Sequence, residues 1–185
     1  MSMNSRELRT AALQAAVRGA ESIDETQIQK AIDAIIASKR VFVAGAGRTL
    51  LFLKALGMNL MQIGKLSYAV GEIATPSIRK GDVLICASWS GTTRVTNIFV
   101  QQAKKEGATI IAFTAHKDSP LGEAADILIE ITAEMDPEVV KEHEMYNGYT
   151  FDHIVVPLYD CLVASIRQQA GIPGDIMGYN HANME

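Results

Sequence analysis

Apolar residues recur at helical spacing twice near the N-terminus. Leu8, Ala11, Ala12, Ala15 and Ala16 form one stripe, and Ile28, Ala31, Ile32, Ile35 and Ile36 form another. Residues 5–38 therefore read as two helices, with Ser22 or Asp24 available to cap the second. The first is Ala-rich with a shallow apolar stripe, which predicts packing against another helix, in this subunit or a neighbouring one. From Val41 the stripes give way to short, unbroken apolar runs. Val41–Ala44, Lys65–Val70, Val83–Ala87, Thr109–Thr114 and Ile127–Ile131 are predicted strands. Helical patterns separate most of them: one ending at Gly64, one over Thr93–Glu106 stopped by Gly107, and a short one over Ser119–Ala125. Residues 132–148 read as an acidic, irregular connection. Residues 149–170 read as a final helix, in which Pro157 marks a kink or the early turns. The tail, 171–185, contains Gly171, Pro173, Gly174 and Gly178 and is predicted not to be helical.

Strands that are continuously apolar, alternating with helices, belong to a parallel sheet covered on both faces. The expected fold is α/β, a single domain over 1–185. N-terminal helices occupy 1–38, the sheet core 39–131, the C-terminal helix 149–170 and the tail 171–185. The 185 residues suffice for one domain whose core needs no disulfide or metal. Hydrophobic residues at 48% and charged residues at 21% exclude a disordered chain. The net charge of −4 argues against a nucleic-acid-binding surface. Cys86 and Cys161 allow at most one bridge, and the reduced, cytoplasmic reading is preferred. Met1–Thr10 carries Arg6, Glu7 and Arg9 and no apolar signal segment. No apolar stretch approaches the roughly 18 residues a membrane span needs.

Chemistry concentrates at two predicted strand ends, where parallel sheets bind their ligands. Ser88-Trp89-Ser90-Gly91-Thr92-Thr93 places the hydroxyls of Ser88, Ser90 and Thr93 beside Gly91, ahead of a helix. The free N–H groups of that helix and its positive end suit a phosphate monoester. The alternative is an N-cap with surplus serines. Gly45-Ala46-Gly47-Arg48-Thr49 is half of a dinucleotide fingerprint. Leu50 occupies the third glycine position, and Glu72 lies beyond the usual place of the acidic partner. Nicotinamide binding is therefore disfavoured. Arg48 and Thr49 fit sugar hydroxyl or phosphate contacts better, because arginine offers a rigid fork of donors.

The pairing of Gly-x-Gly-Arg-Thr with Ser-x-Ser-Gly-x-Thr on successive strand ends resembles the sugar isomerase (SIS) domain family. Val41–Arg48, the run Val70-Gly71-Glu72-Ile73-Ala74-Thr75-Pro76-Ser77-Ile78 and Lys80-Gly81-Asp82 resemble its 6-phospho-3-hexuloisomerase branch, over about residues 30–170. The resemblance implies a five-stranded parallel sheet between helices, a flavodoxin-like or Rossmann-like three-layer sandwich. It also implies a phosphorylated sugar as partner, no cofactor and a homodimer or homotetramer. The implied reaction takes 3-hexulose 6-phosphate to fructose 6-phosphate through an enediol. Gly47, Arg48, Thr49, Ser88, Ser90, Gly91, Thr93 and Glu72 are the implied substrate and phosphate contacts. The chain departs from the pattern at three places, the first being Leu50, which replaces a small residue beside the first loop. Gln62 stands where the family has His. Gly148-Tyr149-Thr150-Phe151-Asp152 stands where the family has Gly-Thr-Leu-Phe-Glu, so the carboxylate is one methylene shorter.

Isomerisation needs a base and donors for the enediolate oxygen. Asp152 ranks first as the base, His153 second and His116 third. His153 follows Asp152 directly, so on a helix the two side chains point about 100° apart. His181 falls in the tail. His143, Glu142 and Glu144 fall in the acidic connection, which reads as a solvated face. Glu72 reads equally as a contact near the sugar or as a loop hydrogen bond. Trp89 is expected to stack on the ligand, shield it or pack at a subunit contact. Met58 and Met61 read as core. No group of residues has zinc-ligand spacing, so no metal site is expected. Two other readings stay open: an isomerase of a different phosphosugar, and a non-catalytic phosphosugar sensor.

Overall fold

The computed structural model describes residues 3–132 and 134–184. Five strands form one sheet: β1 (Val41–Ala44), β2 (Ser67–Ala69), β3 (Val83–Ala87), β4 (Thr109–Thr114) and β5 (Ile127–Glu130). Every pairing is parallel, in the order β2-β1-β3-β4-β5. Among the described residues, eight helices surround it: α1 (Ser5–Glu21), α2 (Glu25–Ala37), α3 (Gly47–Gln62), α4 (Arg94–Lys105), α5 (Pro120–Ala124), α6 (Pro137–Glu142), α7 (Gly148–Gln169) and α8 (Ile176–Tyr179).

The unbroken apolar strands serve two cores. Val41, Val43, Val83, Ile85 and Phe113 face α2, α3 and α7. Phe42, Ala44, Leu84, Cys86 and Ile110 face α4 and α5. Successive side chains on a strand alternate between faces, so a strand covered on both must be apolar throughout. β1 leads into α3 on one face, and β3 leads into α4 on the other. The neighbouring β1 and β3 thus send their chains apart and open a crevice at their carboxyl ends.

The N-terminal helices fall where the periodicity puts them. Asp24 caps α2 by accepting from the Thr26 N–H, while Ser22 ends α1 instead. α1 buries Ala12, Ala15, Ala16 and Gly19 and packs against α7 of its own chain. The second strand is shorter than the run 65–70. Two other expectations are corrected. The acidic connection contains α6, whose Asp136 accepts from the Glu138 N–H with Pro137 in the first turn. Proline is well suited there, because its missing N–H is one that a helix start cannot use. The tail contains the one-turn α8, anchored where Asn180 Nδ2 donates to the Gln62 carbonyl at 3.0 Å. Pro157 lies inside α7 and not in its early turns, on the exposed side of the helix. The cysteines are both free thiols, Cys86 buried and Cys161 exposed.

Candidate active site

The loop after β1 turns on two glycines. A Cβ on Gly45 would come within 2.9 Å of Leu53 Cδ1, so a larger residue there would displace the Leu53 side chain where α3 folds back onto its strand. Gly47 has φ +56°, in the left-handed region that favours glycine. The loop after β3 is tied down more firmly. The Gly91 N–H donates to Ser88 Oγ at 3.1 Å. The Gly91 carbonyl accepts from the Leu121 N–H and from Asn97 Nδ2, each at 3.1 Å. Gly91 has φ +64°, and a side chain there would collide with Ser119. The Trp89 carbonyl accepts from the Ala115 N–H at 3.1 Å and from Thr114 Oγ1 at 3.2 Å. Hydroxyls pair above this frame: Ser88 with Thr93 at 2.8 Å, and Ser90 with Thr92 at 2.9 Å.

Helix starts supply the electrostatics. α1, α2, α5 and α6 begin with a capping side chain: Asn4, Asp24, Ser119 and Asp136. Besides the one-turn α8, the helices that begin with none are α3, α4 and α7. Those three starts meet around one crevice of about 230 Å3, lined by Ala46, Arg48 and Thr49 from α3, Ser88, Trp89, Ser90 and Thr93 before α4, and Gly148, Tyr149 and Asp152 from α7. At α3 and α4 this leaves N–H donors and the positive dipole end for an anion, while at α7 the Tyr149 and Thr150 N–H groups already donate to the Tyr146 and Asn147 carbonyls, so that start offers its dipole end.

Asp152 is 5% exposed, at the inner end of α7's second turn. Thr49 Oγ1 donates to its Oδ1 at 3.1 Å, and Arg48 Nε lies 3.2 Å from its Oδ2. Burial raises the carboxyl above its ordinary range. The Thr49 hydrogen bond and the charges of Arg48 and His153 pull it down, and burial prevails. A carboxylate raised in this way is a stronger base than one in water. Aromatic rings form one wall. Trp89 meets Tyr146 edge-on with centroids 5.2 Å apart, and Tyr146 meets Tyr149 at 5.4 Å.

The structure therefore gathers Arg48, Thr49, Ser88, Ser90, Thr93 and Asp152 in one crevice, with Gly47 and Gly91 shaping its two loops. His153 is not brought in: it is exposed and lines a separate groove with Leu8, Ala12 and Met145. Glu72 is an exposed carboxylate paired with Lys54 Nζ, outside the crevice lining. That contact holds it below its ordinary range. His116 is exposed and backs Trp89 from outside, with centroids 5.4 Å apart. His143 accepts from the Met3 N–H, and His181 is exposed in the tail. Gln62 ends α3, fifteen residues past Gly47, so roughly 22 Å along the helix from the crevice. Of the two methionines, Met58 and Met61 are 49% and 42% exposed, so neither is core. Reading the sequence by motif misses Tyr146 and Tyr149 as wall residues. Tyr149 and Asp152, three apart on α7, share a helix face, a spacing the sequence shows; Tyr146 precedes the helix and no spacing singles it out. Among the described residues, no three His, Cys, Asp or Glu side chains gather at metal-binding distance.

Comparison with known proteins agrees with this arrangement. Residues 34–158 match the family model described as SIS domain. A protein of Mycobacterium gastri named 3-hexulose-6-phosphate isomerase is 34% identical over 167 residues, 90% of this chain and 84% of its own. One of the same name from Methylomonas aminofaciens is 33% identical over 84% of this chain and 86% of its own. A crystal structure from Methanococcus jannaschii, described as inferring a molecular function of 3-hexulose-6-phosphate isomerase, superposes with a TM-score of 0.82. It is 27% identical, with 94% of this chain and 98% of that one covered. The family match over residues 34–158, which contain the whole five-stranded parallel sheet, makes this chain a member of the SIS domain family.

Proposed function

We propose that the protein interconverts 3-hexulose 6-phosphate and fructose 6-phosphate. The observation that carries the reading is Asp152, a buried carboxylate with a raised pKa in a crevice where three uncapped helix starts converge. The names of the relatives support the same substrate. Ser88, Ser90 and Thr93, with the α4 N–H groups, bind the phosphate and fix the sugar's position. Asp152 takes the proton from C2 of the 3-ketose. The electrons move to the C3 oxygen, giving a 2,3-enediolate. Arg48 and the free N–H groups of α3 stabilise the negative oxygen. Return of the proton to C3, with the C2 hydroxyl proton passing to the C3 oxygen, leaves the carbonyl at C2. Atoms and charge balance without an external oxidant.

The finer expectations are a homodimer or homotetramer acting in the cytoplasm. Leu13 and Val17 on α1 and Val156 on α7 are apolar and exposed, and they are the candidate contacts. Among the described residues no helix is long and apolar enough to cross a membrane.

The test is fructose 6-phosphate in heavy water, followed by NMR. Deuterium entering C3 together with appearance of the 3-ketose supports the reading. Binding that raises thermal stability without exchange at C3 refutes it and favours a phosphosugar sensor. Exchange at C1 alone favours an aldose–ketose isomerase.

A further inference from the structure

We propose that Tyr149 is a positioning residue whose ring holds the Arg48 guanidinium against Asp152. The inference rests on reading the crevice as the isomerase site. Two helices each contribute one charged group and one ring to the same cluster. On α3, Arg48 and Phe52 stand four residues apart. On α7, Tyr149 and Asp152 stand three apart. Both spacings place the pair on one helix face. Arg48 Cζ lies 4.9 Å from the Tyr149 ring centroid and 5.5 Å from that of Phe52, while its Nε reaches Asp152. The guanidinium is thus enclosed by two rings and a carboxylate.

This enclosure matters because the Arg48 side chain is 41% exposed. A long side chain at that exposure samples solvent unless something holds it, and the flat, weakly hydrated guanidinium stacks well on aromatic faces. Tyr149 is itself braced. Tyr146 backs it, Trp89 backs Tyr146, and the Trp89 carbonyl is bonded to Thr114 and Ala115 at the end of β4. The brace therefore runs from the sheet through the phosphate loop to the base. Burial raises the Asp152 carboxyl, and the Thr49 hydrogen bond, then the charges of Arg48 on α3 and His153 on α7, lower it; the buried Tyr159 hydroxyl, two turns further along, is itself pushed up by burial. Arg48 favours the ionised carboxyl, so releasing Arg48 raises the carboxyl's pKa.

Tyr149→Leu removes the ring, and Tyr149→Phe keeps it. The readouts are the NMR titration of the 13C-labelled Asp152 carboxyl, assigned with Asp152→Asn, and the acid limb of kcat/KM. In Tyr149→Leu both should move upward together by about half a unit or more. In Tyr149→Phe both should stay at the wild-type position. Arg48→Lys keeps the charge without the flat stack and should behave as Tyr149→Leu does. It serves as the test if the leucine variant does not fold. An unmoved titration in Tyr149→Leu or Arg48→Lys overturns the proposal, because a merely structural contact lowers Tm and leaves the carboxyl alone. A shift in Tyr149→Phe as large as in Tyr149→Leu also overturns it, by assigning the effect to the hydroxyl. The NMR titration needs no turnover, so it decides the role of Tyr149 even if the isomerase reading fails.

Discussion

Replacing Asp152 by asparagine should move activity and stability in opposite directions. The change is isosteric, and the amide would keep an oxygen to accept from Thr49 at the present 3.1 Å. Removing a general base costs about 10²–10⁴ in rate, or roughly 3–5 kcal/mol of transition-state stabilisation. Stability follows from the raised carboxyl. Its elevation already includes the help of Thr49 and Arg48, so the folded site as a whole disfavours the charge. Each unit by which a site raises a carboxyl corresponds to about 1.4 kcal/mol against the ionised form. The contribution of the protonated carboxyl is fully present below its unfolded pKa and is lost as pH rises through its folded one. At neutral pH the wild type therefore bears a penalty that the neutral amide escapes. For a chain of this length, 1 kcal/mol moves Tm by about 2–4 °C. Asp152→Asn should thus melt at or above the wild-type temperature near neutral pH, and the gap should close as pH falls. The assays are fructose 6-phosphate formation, coupled to nicotinamide reduction, and thermal melts across a pH series. Turnover within tenfold of wild type refutes Asp152 as the base. A melting temperature several degrees lower at neutral pH refutes the electrostatic argument.

Asp82 should show the reverse pH dependence. It is buried beside β3, where burial pushes its carboxyl up, but two Arg40 contacts at 3.1 and 2.6 Å and the Arg79 N–H pull it further down. Its stabilising contribution is present above the unfolded pKa and lost as pH falls through the folded one. Acid melts should show the loss below the ordinary carboxylate range, and Asp82→Asn should flatten it. Gly91→Ala should lower stability by about 2–3 kcal/mol and weaken phosphate protection, since the residue needs φ +64° and a methyl there meets Ser119. An unchanged melt with intact phosphate binding would show that the loop is not built on that glycine. Thiol labelling of the native protein should modify Cys161 alone, because burial pushes the Cys86 thiol up to about 12. Labelling of Cys86 at the rate of Cys161 would refute its burial.

Much of the fold was legible because its strands are covered on both faces. That condition forces runs such as Val83–Ala87 to be apolar at every position, and no other common environment asks this of the three central strands. The two loops were legible because glycines and hydroxyls at strand ends have few other uses. α6 and α8 were not, because short helices with no buried stripe leave no periodic signal. α6 is held by its Asp136 cap, its Pro137 start and the packing of Val139 and Val140, and α8 by Met177 on the core and one bond to Gln62.

At the site the division is sharper. Local chemistry alone selects Arg48, Thr49 and the Ser88–Thr93 loop, since spacing along the chain is spacing in space when a loop is six residues long. It also supplies Asp152 as a carboxylate on a helix face. Only the tertiary structure carries Asp152 across 103 positions to Thr49 and makes it a buried carboxyl raised above its ordinary range. The same packing sends His153, its immediate neighbour, to a different surface, because a helix turns about 100° per residue and only one of the two can face inward. Only the structure joins Trp89, Tyr146 and Tyr149 into a wall and sets Arg48 between Tyr149 and Phe52. Periodicity along a chain determines which face is buried. What that face meets depends on how the helices cross the sheet.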